Sequence, residues 1–255
     1  MCQLFGVSAA QPVEVNAWLR TLANHSVEHP HGWGVAVFHG EAVNLEKEPL
    51  AAWQSSYLES RLKFPITTKN LIAHIRRASV GGMAYENCHP FVARDAGGRV
   101  WTLAHNGMLF EAHGTERYQA QLQGGTDSER ILLHLMNRMN AALEQAQGSL
   151  SPRERFLVAE RVVAELAPHN SLNLLFYDGE LLYVHTNQPD HLCFRRVGDA
   201  VLFATVPMDD AHWEPVARMR LLAYRDGELL FQSEPHGYDY TEDENRAHQM
   251  DSSQL

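Results

Sequence analysis

The chain has 255 residues, 45% of them hydrophobic and 20% charged, enough for one large globular domain or two small ones. Its 21 Lys and Arg against 31 Asp and Glu leave a formal net charge of −10 with no basic stripe, which argues against a nucleic-acid partner. No apolar run approaches the roughly 20 residues of a membrane span, and Cys2, Cys88 and Cys193 lie too far apart in sequence to read as a disulfide framework.

The chain begins MCQLFGV, and a first strand is predicted over Gln3–Ser8. A helix is predicted over Val13–Ala23, where Val15, Leu19 and Leu22 recur at helical spacing. Strands follow at Gly34–Phe38, Ala42–Glu46, Asn70–Ile75 and Val100–Ala104. Two longer helices come next. Thr126–Glu144 sets Ile131, Leu132, Leu135, Met136 and Met139 on one face, and Ser151–Leu166 does so with Phe156, Ala159, Val163 and Leu166. Their starts, Thr126-Asp-Ser-Glu129 and Ser151-Pro-Arg-Glu154, match the capping box. The remainder reads as strands at Leu172–Tyr177, Leu181–His185, Ala200–Thr205, Met219–Tyr224 and Glu228–Gln232. Asp178-Gly179 and Asp226-Gly227 are hairpin signals between them. Antiparallel strands with helices in separate blocks make an α+β layered domain. No repeat or linker divides the chain, so one domain is expected over 2–235, followed by a polar acidic tail over 236–255. The N-terminus lacks the charged and apolar regions of a signal peptide, and with its unpaired cysteines the chain is expected in the cytoplasm.

A cysteine directly behind the initiator methionine has two readings. It either starts an edge strand with a buried thiol, or becomes the first residue once Met1 is removed, with thiol and free α-amine on one carbon. The 15 histidines include His29 and His31 two apart, but no HExxH or CxxC occurs, and no metal or other cofactor is expected. Five segments carry the remaining chemistry: Cys2, HPHGWGVAVF at 29–38, AHIRRASVGG at 73–82, ENCHPF at 86–91 with LAHNGML at 103–109, and GGTDSER at 124–130. Each has a structural reading when taken singly. Asn106-Gly107 is a common hairpin turn, Asp127 suits a helix start, and Arg76 and Arg77 suit the solvated end of a strand.

In this order the set resembles the class II glutamine amidotransferases, a branch of the N-terminal nucleophile hydrolases, over Cys2 to about Glu129. The resemblance is closest to the small stand-alone members, which begin Met-Cys-x-Leu-x-Gly and carry a Gly-Trp-Gly segment. It implies a four-layer αββα sandwich of two mainly antiparallel sheets flanked by helices. It further implies Cys2 as nucleophile, and Asn106 and Gly107 as the pair that holds the oxyanion. Arg76, in His74-x-Arg76-x-Ala78-Ser79, would hold the glutamine carboxylate, with Ser79 and His74 in the same substrate segment. Asp127 would receive the α-ammonium. Two departures affect the pocket rim: His29-Pro-His-Gly-Trp-Gly34 replaces an Arg-Gly-x-Asp-Ser segment, and Arg77 replaces a tryptophan.

The chemistry fits these residue types. A free cysteine with a pKa of about 8.5 is mostly protonated at neutral pH, so a base must take its proton. An α-amine with a pKa of about 7.7–8.0 on the same residue can do so. Thiol attack on a side-chain amide then gives an oxyanion, ammonia and a thioester that water hydrolyses. Arg76 offers a planar fork to a carboxylate. Asn87, Cys88 and His89 are expected to shape the pocket wall, Cys88 structurally. The later half carries no Walker A or GxGxxG. The resemblance implies L-glutamine as substrate, and with no acceptor motif in the chain the ammonia is expected to pass to a separate synthase subunit or to be released. Alternatives are another γ-glutamyl amide as substrate, or a retired catalytic fold kept as a regulatory subunit.

Overall fold

The computed structural model describes residues 2–40, 42–78 and 81–241. In chain order the elements are β1 (Gln3–Glu14), α1 (Asn16–His25), β2 (Trp33–His39), β3 (Ala42–Glu48), α2 (Ser56–Arg61), β4 (Thr67–Ile75), β5 (Phe91–Arg94), β6 (Val100–Met108), α3 (Asp127–Ala146), α4 (Pro152–Leu166), β7 (Ser171–Tyr177), β8 (Leu182–Thr186), β9 (Cys193–Val197), β10 (Ala200–Ala204), β11 (Glu214–Pro215), β12 (Arg220–Arg225) and β13 (Glu228–Gln232). A seven-stranded sheet has the order β11-β9-β10-β1-β4-β2-β3, and a six-stranded sheet the order β13-β12-β8-β7-β6-β5. Neighbouring strands in both sheets run antiparallel.

Alternation along the strands builds three apolar layers. Phe5 and Val7 of β1 face outward onto Leu19 and Leu22 of α1 and Leu58 of α2. Leu174 and Phe176 of β7 face outward onto Ile131 and Leu135 of α3 and Phe156 of α4. Between the sheets, Leu4, Ile72 and Phe203 meet Ala104, Leu175 and Leu222. This is the expected α+β sandwich of helix, sheet, sheet and helix. The inner layer is tight at Gly6, where an added Cβ would stand 2.9 Å from Leu175 Cδ1.

Local differences from the sequence expectations have physical causes. The first helix starts at Asn16 because Val13 and Glu14 still pair with Thr68 and Thr67 of β4. Asn16 then fastens the turn, donating to Leu62 O and Phe64 O and accepting from Ile66 N. Helix α2 was not visible as apolar periodicity, yet Ser55 caps it by accepting from Leu58 N. Strand β9 carries Arg195 and Arg196, and its pairing with β10 overrides that polarity. Ser151 and Glu154 complete their capping box. Thr126 caps α3, but Glu129 accepts from Gln123 N and Gly124 N of the preceding loop instead of closing a box.

Two expectations change more substantially. Asn106-Gly107 is not a hairpin turn: both residues lie inside β6, opposite Asn173 and Leu172. The domain does not stop at 235, because His236 N donates to Met219 O, Tyr240 N donates to Asn187 O, and Tyr240 is buried. The folded unit therefore includes residues up to 241. The acidic stretch from Glu242 lies outside the described residues.

Candidate active site

Cys2 stands at the start of β1, where that strand leaves the end of β4. Its Sγ accepts from Arg77 N at 3.3 Å and lies 3.5 Å from Arg77 O. Burial pushes the thiol pKa up. The Arg77 N–H and the Arg76 charge oppose this, and the Asp127 charge adds to it. Burial thus favours the neutral thiol.

Asn106 and Gly107 come from the other sheet. Asn106 O accepts from Asn173 Nδ2 at 2.7 Å, and Asn106 Nδ2 lies 3.5 Å from Thr205 Oγ1, which also accepts from Leu4 N at 2.9 Å. Thr205 thus links β1, the strand that follows Cys2, to Asn106. Among the described residues Asn106 Oδ1 is buried without a hydrogen-bond partner, an arrangement that costs about 1–3 kcal/mol. At Gly107 a Cβ would fall 2.0 Å from Ser171 O and 2.6 Å from His105 Nε2, so only glycine fits. His105 Nε2 donates to Ser171 O at 3.0 Å, leaving Nδ1 to accept from Ser128 Oγ at 2.9 Å. Burial lowers the His105 pKa and keeps the ring neutral.

A cavity of about 250 Å³ joins these groups. Its wall includes Cys2, Asn106 and Gly107, together with Arg77, Ala78, Met108, Phe110, Ser171, Gln188 and Tyr240. Phe110 and Tyr240 stack with ring centroids 5.7 Å apart and planes 5° from parallel. Sequence reasoning missed Phe110, Ser171, Gln188 and Tyr240. Phe110 lies three residues from Gly107 and was findable by that proximity, whereas the other three reach the wall through pairing and docking that no local pattern announces.

The other expected site residues are placed differently. Arg76 is buried, and its guanidinium donates to Gly82 O at 3.0 Å and Gly81 O at 3.2 Å. Asn87 also donates to Gly82 O and accepts from Gly125 N, tying that loop to the approach to α3. Asp127 Oδ2 accepts from Leu109 N at 2.7 Å and Oδ1 from Ser128 N at 2.9 Å. Neither Arg76 nor Asp127 is part of the cavity wall, although both charges act on the thiol. Ser79 lies outside the described residues. His74, expected in the substrate segment, is fully buried off the cavity wall, its ring 4.2 Å from that of His89. Burial and the Arg76 charge lower its pKa to about 3.

The rim is also narrower than its sequence suggested. Trp33 is buried in the outer core and donates to Glu48, and His29 is buried near His25 O. His31 acts indirectly by accepting from Ala78 N at 2.8 Å. Cys88 is buried between Glu48 O and Ala84 O, and burial raises its pKa to about 11, a structural thiol. Among the described residues no group of three His, Cys, Asp or Glu side chains could hold a metal ion.

The family model for class-II glutamine amidotransferases matches residues 1–198. The chain belongs to that family. The chain is 29% identical over 199 residues to the Escherichia coli protein YafJ, which carries a provisional glutamine amidotransferase name, covering 77% of each chain. It is 30% identical over 138 residues to an amidophosphoribosyltransferase of Bacillus subtilis, covering 50% of this chain and 28% of that one. A predicted glutamine amidotransferase from Pseudomonas aeruginosa superposes with a TM-score of 0.62 at 23% identity, covering 90% of this chain and 100% of that one. The Bacillus subtilis glutamine phosphoribosylpyrophosphate amidotransferase gives a TM-score of 0.68 at 18% identity, covering 93% of this chain and 50% of that one. These last two likenesses show the fold, two antiparallel sheets layered with helices. No helix among the described residues is long and apolar enough to cross a membrane.

Proposed function

We propose that this amidotransferase hydrolyses the side-chain amide of L-glutamine to glutamate and ammonia through a thioester on Cys2. One observation carries the reading: a single cavity gathers the Cys2 thiol from one sheet with Asn106 and Gly107 from the other. With Met1 removed, the α-amine of Cys2 takes the thiol proton, and sulfur attacks the amide carbon. The Asn106 side-chain amide and the Gly107 N–H stabilise the oxyanion, each donor contributing roughly 2.7–4 kcal/mol in comparable sites. The protonated amine gives its proton to the departing ammonia, and water, activated by the same amine, cleaves the thioester.

Arg76 and Asp127 suit the two ionic ends of the substrate, Arg76 for the α-carboxylate and Asp127 for the α-ammonium, with Ser79 adding a hydroxyl. Both acidic and basic groups now hold backbone atoms of the loops around them, so substrate binding exchanges or shares those bonds. The ammonia goes to a separate synthase subunit or to solvent.

Intact mass before and after incubation with 6-diazo-5-oxo-L-norleucine tests the reading. Chain lacking Met1 gains one adduct, Cys2→Ala gains none, and glutamate release falls at least roughly 10⁴-fold in that variant. A trimmed, folded wild-type chain that takes no adduct and releases no glutamate is instead a regulatory subunit.

A further inference from the structure

Ammonia is a water-sized leaving group, for which about 30 Å³ is enough. The cavity at Cys2 holds about 250 Å³, and neither Arg76 nor Asp127, the groups assigned to the glutamyl end, is in its wall. It therefore has room beside Cys2 for more than ammonia. Three features describe what fits there. The stacked rings of Phe110 and Tyr240, with Met108, give it an apolar side. The Gln188 amide is anchored by its oxygen, which accepts from Ser171 Oγ at 2.6 Å and Asn173 Nδ2 at 2.8 Å. Among the described residues nothing accepts from its Nε2, which leaves a donor at the wall. The Arg77 guanidinium, exposed at the wall, makes no hydrogen bond or ion pair with any described residue.

We infer that the preferred substrate is a γ-glutamyl conjugate whose nitrogen carries an apolar, acid-bearing substituent, that is, a γ-glutamyl amino acid with a large apolar side chain. Its side chain packs on Phe110 and Tyr240, and its carboxylate meets Arg77 and Gln188 Nε2. The inference rests on the Cys2 thioester reading. Cys2 Sγ bonds to the γ-carbon and the C–N bond breaks. The amino acid leaves with the proton taken from the thiol. Water then restores the thiol and releases glutamate, so no oxidant or further reactant is needed.

The test measures kcat/KM of trimmed chain for L-glutamine, γ-L-glutamyl-L-phenylalanine and γ-L-glutamyl-phenethylamine, which lacks the carboxylate. The phenylalanine conjugate is expected to exceed glutamine by about tenfold or more, and the phenethylamide to fall below the phenylalanine conjugate by a similar factor. Arg77→Ala and Tyr240→Ala should each cut the ratio of phenylalanine conjugate to glutamine about tenfold, folding being checked by thermal melting. Glutamine equal to or above the conjugate, or a ratio unmoved by both substitutions, overturns the inference while leaving the thioester reading intact. Failure to hydrolyse any of the three, with no adduct on Cys2, overturns the thioester reading itself.

Discussion

The two ends of β7 hold similar polar groups in opposite conditions. At the Asp178 end the buried charges are matched. Asp178 accepts from Arg155 Nε at 2.7 Å, Tyr183 Oη at 3.0 Å, Glu180 N and Leu181 N, while Arg155 also reaches Glu180 and Leu150 O. The carboxylate and guanidinium are both buried there, and the Arg155 pKa is raised by Asp178 and Glu180 despite the opposing effect of burial. At the Ser171 end burial pushes the Cys2 thiol up, and among the described residues Asn106 Oδ1, the Arg77 guanidinium and Gln188 Nε2 have no hydrogen-bond partner. A closed cluster spends its hydrogen bonds on holding the fold. An open one keeps them for a ligand.

Breaking the closed end should have the largest effect on folding. Asp178→Ala leaves Arg155 buried with its main partner gone, and urea unfolding is expected to show a loss of about 3–5 kcal/mol. Glutamate release per folded molecule should stay within about twofold of wild type, because Asp178 lies at the far end of the strand from the cavity. Asn106→Ala should do the reverse. It removes an orphaned acceptor and a long contact to Thr205, so its melting temperature changes little, while kcat drops roughly 10²–10³-fold. Equal losses of stability and turnover in both variants would erase the distinction between the two ends.

The smallest effect concerns His74. The unfolded ring takes up a proton near its ordinary value of about 6.5, whereas the folded ring refuses it down to about 3. Below the unfolded value the unfolded chain binds the extra proton, so stability present above about pH 6.5 is lost progressively as pH falls toward about 3. His74→Phe should flatten part of that slope in urea titrations run between pH 7 and 4, and leave KM unchanged. A raised KM would restore His74 to the substrate segment.

Much of the architecture was legible in the sequence. Strand and helix periods located β1, β4, β6, β7 and the two long helices, and the ordered motifs brought Cys2 and Asn106-Gly107 to attention. What was hidden depends on pairing across the chain. The NG dipeptide reads locally as a turn, and only its place opposite Asn173 and Leu172 makes it strand. Charged β9 reads as loop until β10 lies beside it. Tyr240 belongs to a segment whose polarity suggests a tail, yet its ring completes a wall by stacking on Phe110. His74 sits within a substrate motif, but strand alternation turns its ring into the space between the sheets.

The tight approach of Gly6 to Leu175 acts as a gauge block. Cys2 rides on one sheet and Asn106 and Gly107 on the other, so the gap between them is set by the thickness of the hydrocarbon sandwiched between the sheets. A methyl group added at Gly6, with nothing polar altered, would press on the Leu175 side chain and so test how far the proposed chemistry depends on that filling.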